Sequence, residues 1–420
     1  MRHTPSVPVL PSLTGIRAPA ALLVFLFHAQ WENHYIGGGT GDTISDIIDR
    51  GGTWGLGLFF ALSGFVLTWT ASANDTVVGF WRRRVVKVFP NHLVTYALAV
   101  VILLSSSQAI PLDHWLPNLF LVQTWVPDVA RVVSLNGVSW SLSAELFFYL
   151  SFPFLLMTVN RIRDERLWLS TGVVAALIVG ATFFSYYVLS DQPRLIGFGG
   201  DDYSYNQIWF IWFFPPVRGL EFVLGVLLAK LVLAGRWRPI GLPAAVGLSF
   251  AGYLVSTFAV PYLFGVSGVA TLWTAPLLAE LALADVEKKR SWVRHPVLVW
   301  FGNLSFAFYM IHWLVIGRVT HWARPDPSRP VVDGLGLILL TFVVSLFLAW
   351  LMHNFIEMPA VRRFSGTRPR SVTVRAYPHV TVPAPSTSIP STAVPNTAVP
   401  NTTVPNAPIP NATAESTGVA

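Results

Sequence analysis

The chain has 420 residues, of which 53% are hydrophobic and only 12% charged, with a mean hydropathy of +0.55, a net charge of +7 and a pI near 9.8. Apolar runs near the length that crosses a bilayer core as a helix recur along it, so the composition specifies a polytopic membrane protein. The absence of cysteine excludes disulfides, thiolate metal sites and a cysteine nucleophile, and the basic residues sit in short clusters between apolar spans, which points to a lipid bilayer and not to nucleic acid as the partner.

Taken in order, the spans read as helices. Leu22 to Phe27, Leu98 to Leu104 and Leu335 to Leu351 are apolar on all sides, whereas β-barrel spans alternate in polarity over about 10 residues. The expected fold class is all-α, with about ten transmembrane helices at roughly 16–35, 54–72, 88–107, 137–159, 167–189, 208–233, 240–258, 264–284, 297–316 and 332–354. The first apolar run ends in Phe27-His28-Ala29-Gln30-Trp31-Glu32 with no small-residue cleavage site, so it reads as a retained span and not a signal peptide. Arg82-Arg83-Arg84 with Lys87, Arg161/Arg163/Arg166, Arg236/Arg238 and Lys288-Lys289-Arg290 with Arg294 fall in every second connection, and Arg362-Arg363 follows the last span. Those connections are assigned to the cytoplasm, which places both termini there.

Two domains are expected, a transmembrane domain over 1–363 and a tail over 364–420. In the tail Pro, Thr, Ser, Val, Ala and Asn predominate, and Pro385, Pro390, Pro395, Pro400, Pro405 and Pro410 recur every fifth residue. Such a stretch has no apolar face to bury and is expected to be disordered with polyproline II character. Asn401-Thr402-Thr403 and Asn411-Ala412-Thr413 match the glycosylation acceptor pattern, which carries no weight in a cytoplasmic tail.

The residues able to do chemistry lie within or beside spans. Arg17 and His28 are eleven residues apart in the first span, close to three helical turns, so they share a face and are separated by about 16 Å of rise. An ionisable group at such depth normally turns towards protein or a water-filled cavity and marks a functional site. Trp54 to Phe65 puts glycines and Ser63 inside the second span, which suits close helix packing as well as a cavity lining. Arg83, Arg84 and Lys87 suit orientation by charge and also the phosphates of a soluble donor. In Trp140-Ser141-Leu142-Ser143-Ala144-Glu145, Ser141 and Glu145 fit the start of a helix on the outer side, with the hydroxyl as cap and the acid at the positive end. Arg218 and Glu221, spaced i,i+3, most simply pair with each other. His312, in Gly302 to His312, is a second intramembrane histidine that equally suits an interhelix strut. No paired histidine spacing with a carboxylate on one helix face supports a metal.

This run of motifs resembles the acyltransferase-3 family of integral membrane acyltransferases from about Leu10 to Arg363. The family's Arg-x10-His corresponds to Arg17 and His28, and its Gly-Val-Asp-x-Phe-Phe-x-Leu-Ser-Gly element to Gly55 through Gly64. Its Arg-Arg-x-x-Arg is similar to Arg83-Arg84-Val85-Val86-Lys87, and its Trp-Ser-Leu-Ser-x-Glu to Trp140 through Glu145. Its Arg-x-x-Glu-Phe is similar to Arg218 through Phe222, and its C-terminal signatures to Gly302 through His312 and Ile356-Glu357-Met358-Pro359. Gly57 replaces the usual Asp and Lys87 the last Arg. The opening Leu10-Pro11-Ser12-Leu13-Thr14-Gly15 is similar to an actinobacterial branch that includes macrolide acyltransferases.

The resemblance implies a bacterial plasma-membrane enzyme that moves an acyl group, acetyl or another short chain, from acyl-coenzyme A to a hydroxyl of a sugar, polysaccharide or glycosylated natural product. No bound cofactor is implied; acyl-coenzyme A is the co-substrate and a hydroxyl-bearing glycan or glycoside the acceptor. It further implies His28, Arg17 and Glu145 as catalytic residues, with His28 as general base; Glu32, one turn on, suits orienting that ring and equally a solvated place on the outer face. Arg83, Arg84, Lys87, Ser63, Trp140, Arg218 and Glu221 are implied in substrate binding. Arg17, or a backbone N–H beside Ser63-Gly64, would face the developing oxyanion, and no appended extracytoplasmic domain is expected to complete the transfer. A transporter or flippase would share the helix count and basic loops; it often shows repeated halves, and each motif here occurs once. A family member that only binds acyl-coenzyme A is the remaining reading, raised by the missing Asp at Gly57.

Overall fold

The computed structural model describes residues 9–72, 74–105, 111–195 and 203–366. Among them helices dominate and no β-strand occurs. Ten helices are long: α1 (Pro11–Glu32), α2 (Gly51–Trp69), α3 (Val77–Ser105), α4 (Trp140–Val159), α5 (Leu167–Tyr187), α6 (Pro215–Leu233), α7 (Leu242–Phe258), α8 (Val269–Val286), α9 (Pro296–Ala323) and α10 (Val331–Met352). Each expected span falls on one of them. Eight helical segments are long and apolar enough to cross a bilayer; α6 carries Arg218, Glu221 and Lys230, and α7 has 17 residues. The tail expected to be disordered lies outside the described residues from 367 on.

One boundary moves with consequences. The third span was expected to begin near residue 88, leaving the basic cluster in a loop, yet α3 begins at Val77 and runs unbroken for 29 residues. Arg82, Arg83, Arg84 and Lys87 therefore stand on its first three turns, where i,i+3 and i,i+4 spacing aims them along defined faces.

Helix α2 occupies the middle of the bundle, and nearly all of its side chains are buried. Small residues explain how. A Cβ built on Gly225 of α6 would lie 1.8 Å from the carbonyl oxygen of Ala61, and one on Gly64 2.1 Å from that of Phe222, so the two backbones touch where α2 crosses α6. The glycines of the second span thus serve packing. Gly57 belongs to the same surface: a Cβ there would meet the Thr271 hydroxyl at 2.2 Å, so the place of the family's Asp is filled by α8. The outer helices show the opposite composition. On α10, Leu335, Leu339, Val343 and Phe347 form an exposed stripe at four-residue spacing, while Thr341, Ser345 and Ala349 face inward.

The crossing gives a first prediction. Gly225→Ala forces an α2–α6 displacement, and overpacking of this kind costs about 1 to 3 kcal/mol. The variant is expected to lose several degrees of melting temperature and part of its monodisperse yield in detergent. Gly247→Ala on α7, whose Cβ meets nothing within 4 Å, is expected to melt like the wild type. Equal melting of the two variants would show that the close approach is not required.

Candidate active site

The site is built along the α1–α9 pair. A Cβ on Gly302 would stand 2.0 Å from the Thr14 carbonyl oxygen, so the two helices are in backbone contact near the N-terminal end of α1. From there Arg17 and His28 both face α9, as the eleven-residue spacing requires, but at different levels.

At the end that carries the basic cluster, a chamber of about 420 Å³ is lined by Arg17 of α1, Ser63 of α2, Arg84 and Lys87 of α3, and Glu145 and Tyr149 of α4. Among the described residues no carboxylate oxygen lies within 4.0 Å of the Arg17 guanidinium, and its buried Nε has no hydrogen-bond partner. Tyr149 donates to Glu145 Oε2 at 3.0 Å. Beside the chamber, sharing Arg84 with it, is a second cavity of about 320 Å³ that includes Arg83. Arg83 Nη2 lies 2.9 Å from Asp75 Oδ1.

Lys87 does not stand as a lone cation. Its Nζ pairs with the fully buried Glu357, which also accepts from Asn91 Nδ2 at 2.7 Å and lies 3.2 Å from His353 Nδ1. Glu357 is the last residue of a π-helical turn after α10, His353–Glu357. This network ties the C-terminal end of the domain to α3, and a charge that removal of Lys87 would orphan is costly to leave buried.

Past the chamber a narrow cavity of about 40 Å³ is bounded by Arg17, Phe60, Ser141, Glu145, Ser305 and Tyr309. Ser141 donates to the Tyr309 hydroxyl at 2.8 Å, and Tyr309 donates to the Val138 carbonyl at 3.0 Å. Ser141 is therefore not a cap, and Glu145, more than a turn inside α4, faces the chamber beside Arg84 and Lys87. The reason is local: Gly137–Ser139 forms a 3-10 turn that starts the helix earlier, and Asn136 Nδ2 pins that turn to the Met310 carbonyl at 2.8 Å.

One turn beyond Tyr309 is His312. Its Nδ1 lies 2.7 Å from the Tyr309 carbonyl oxygen and 3.2 Å from that of Phe308, and its Nε2 lies 2.9 Å from His28 Nδ1. His28 occupies a π-helical turn, Phe27–Glu32, closed by Asn33 Nδ2 donating to the His28 carbonyl at 2.6 Å. A wider turn of this kind re-aims side chains and is frequent at functional sites. The His28 ring is half-buried and edge-on to Trp313 at 5.1 Å. Glu32, which suited either that ring or a solvated position, is exposed; the His28 ring meets His312 instead.

The remaining expected site residues lie elsewhere. Arg218 Nη1 and Glu221 Oε1 are 3.2 Å apart and buried inside the bundle, with the guanidinium 5.1 Å from the Phe60 ring centre; neither lines these cavities. Trp140 packs edge-on against Phe213 at 4.8 Å. Ser63 lines the chamber, but the N–H groups of Ser63 and Gly64 are within the helical ladder of α2 and are not available to an oxyanion. Sequence reasoning missed Tyr149, Tyr309 and Glu357 as partners. The signal for Tyr149 was its i,i+4 spacing from Glu145; the other two contacts span distant parts of the chain. Among the described residues no three His, Asp or Glu side chains gather as metal ligands.

The sequence model of the acyltransferase-3 family, an acyltransferase domain, matches residues 10–353. Acyltransferase MdmB of Streptomyces mycarofaciens is 36% identical over 377 residues, covering 87% of this chain and 95% of that protein. Peptidoglycan O-acetyltransferase OatA of Listeria monocytogenes is 24% identical over 389 residues, covering 83% of this chain but only 55% of that protein. No solved structure matches. With the family model spanning nearly the whole helical bundle and with relatives that are acyltransferases along the same stretch, the chain belongs to the acyltransferase-3 family and is a multi-pass membrane O-acyltransferase.

Proposed function

We propose that the protein transfers a short acyl group from acyl-coenzyme A to a hydroxyl of a sugar, polysaccharide or glycosylated natural product. The observation that carries this reading is the separation of charge from base. Cations gather in the chamber (Arg17, Arg84, Lys87), while His28 lies about 16 Å further along α1 by helical rise. A donor that fits carries its phosphates at one end and its reactive carbonyl at the end of a long, thin arm, as an acyl-coenzyme A does. In this reading Arg84 and Lys87 hold phosphate and Arg17 holds the arm, because its side chain leans back towards the N-terminus of α1, away from His28.

His28 takes the proton of the acceptor hydroxyl as the oxygen bonds to the acyl carbon. The tetrahedral intermediate then collapses, the carbon–sulfur bond breaks, and the departing thiolate recovers the proton from His28. The products are an ester and a free thiol. Trp313 stands edge-on to His28 and Trp31 stacks on the adjacent Phe27, and half-buried aromatic rings suit the C–H faces of a sugar. The peptidoglycan acceptor in the name of the Listeria relative supports a glycan. By the positive-inside rule, the chamber opens to the cytoplasm of a bacterial cell, with both termini on that side and the spans in its plasma membrane.

Membranes containing the protein, incubated with radiolabelled acetyl-coenzyme A and a panel of sugars and glycosylated natural products, are expected to label a hydroxyl-bearing acceptor; no labelled acceptor from any donor chain length would refute the reading. The phosphate contact has its own test. Arg84→Gln is expected to raise the Michaelis constant for the donor about tenfold or more, since a charge-assisted hydrogen bond contributes about 1.5 to 3 kcal/mol. Arg83→Gln is expected to do less, because Arg83 lines the neighbouring cavity and not the chamber. If both variants insert correctly and neither changes donor affinity, the cluster serves orientation alone.

A further inference from the structure

The hydrogen bonds along α9 determine more than the position of His28. A backbone carbonyl oxygen can only accept, so the Nδ1 of His312, 2.7 Å from the Tyr309 oxygen and 3.2 Å from the Phe308 oxygen, must carry a hydrogen. In a neutral imidazole the other nitrogen then holds a lone pair. That nitrogen, His312 Nε2, lies 2.9 Å from His28 Nδ1, and a bond between the two requires the hydrogen to sit on His28 Nδ1. Neutral His28 is left with its lone pair on Nε2, to which no protein group donates among the described residues. We propose that His312 is a positioning residue that fixes His28 as the Nδ1–H tautomer and so leaves Nε2 as the base that meets the acceptor hydroxyl. The inference rests on the acyl-transfer reading only for what Nε2 does; the tautomer follows from the geometry alone.

Three features support a built device over an incidental contact. His312 is buried, and its ring is stacked on Phe308 at 5.8 Å with an 8° interplanar angle. Phe25 of α1 packs edge-on against it at 6.3 Å, so aromatic rings from both helices flank it. On the other side, the His28 ring is held between Phe27 and Trp313, each 5.1 Å away. The histidine side chain is the one whose two nitrogens allow such a relay, since the partner on one nitrogen decides the state of the other.

The test uses the full chain in lipid nanodiscs with nitrogen-15-labelled histidine. The His28 resonances, assigned by their loss in His28→Gln, are expected to show a protonated Nδ1 and a bare Nε2 in the wild type; a protonated Nε2 would overturn the proposal whether or not activity has been found. Two variants read the consequence. His312→Gln retains a carbonyl oxygen able to accept from His28 Nδ1, whereas His312→Leu cannot; turnover is expected to stay within about threefold in the first and to fall at least about 10-fold in the second, the lower end of the losses when a partner that orients a functional histidine is removed. The donor Michaelis constant is expected to be unchanged in both. A folded His312→Leu protein with wild-type turnover, or equal losses in Gln and Leu, would overturn the role. Should the wild type show the Nδ1–H tautomer but transfer no acyl group, the reaction assignment fails and the tautomer assignment stands.

Discussion

His28→Gln is expected to lower the turnover number about 10²- to 10⁴-fold while leaving donor binding intact, because positioned acid–base catalysis contributes that much and nothing in the donor chamber depends on the ring. The loss corresponds to roughly 3 to 5 kcal/mol of barrier. Glutamine keeps polarity and bulk beside His312 and Trp313, so packing is preserved without a base. Turnover per folded molecule is the quantity to measure, with donor binding determined separately. His312 does not serve as an inert comparison, since its Nε2 bonds the His28 ring directly; His321, exposed near the end of α9, does, and His321→Gln is expected to keep wild-type turnover. If His28→Gln retains near-wild-type turnover, the base lies elsewhere, and Glu145 in the chamber is the next group to test.

Arg17→Gln is expected to raise the donor Michaelis constant about 10- to 100-fold, the equivalent of a lost charge-assisted hydrogen bond. The guanidinium lines both the chamber and the narrow cavity beyond it, and with no carboxylate within 4.0 Å among the described residues its charge is available to a ligand. Arg17→Lys is expected to recover only part of the affinity, since a point charge replaces a planar fork. The acceptor Michaelis constant is expected to stay unchanged. A fall in turnover of 10²- to 10³-fold with donor affinity intact would instead place Arg17 at the oxyanion, where losses of that size arise. The rise of about 16 Å between Arg17 and His28 argues against that placement.

Much of this architecture was legible in the residues. Apolar run length alone placed the helices, because the bilayer core sets how many residues a span requires. The eleven-residue interval of Arg17 and His28 gave their common face, and the structure puts both against α9. What the sequence could not yield are contacts between distant segments. His28 and His312 are 284 residues apart, and Lys87 and Glu357 are 270 apart; neither pair has a local signature. Helix starts were the other blind spot. Ser141 and Glu145 have the composition of a cap and a first turn, yet the helical path begins before Trp140, so the same residues face inward. Likewise, Arg82 to Lys87 carry the charge of a loop but continue α3, since arginine and lysine are good helix formers. Gly57 shows a third limit: its departure from the family pattern reads as a lost acid, while the structure shows α8 occupying the space.

In the proposed reaction the cationic chamber holds the donor and His28 is the base through which its acyl group passes to the acceptor. The most direct measurement reconstitutes the full chain in liposomes with acetyl-coenzyme A labelled in its acyl group and an accepted glycoside, and counts free thiol and labelled ester together. Equal amounts of the two are expected, both lowered by at least about 10²-fold in His28→Gln. Thiol released without ester, or glycoside moved across the bilayer unmodified, would contradict the proposed reaction.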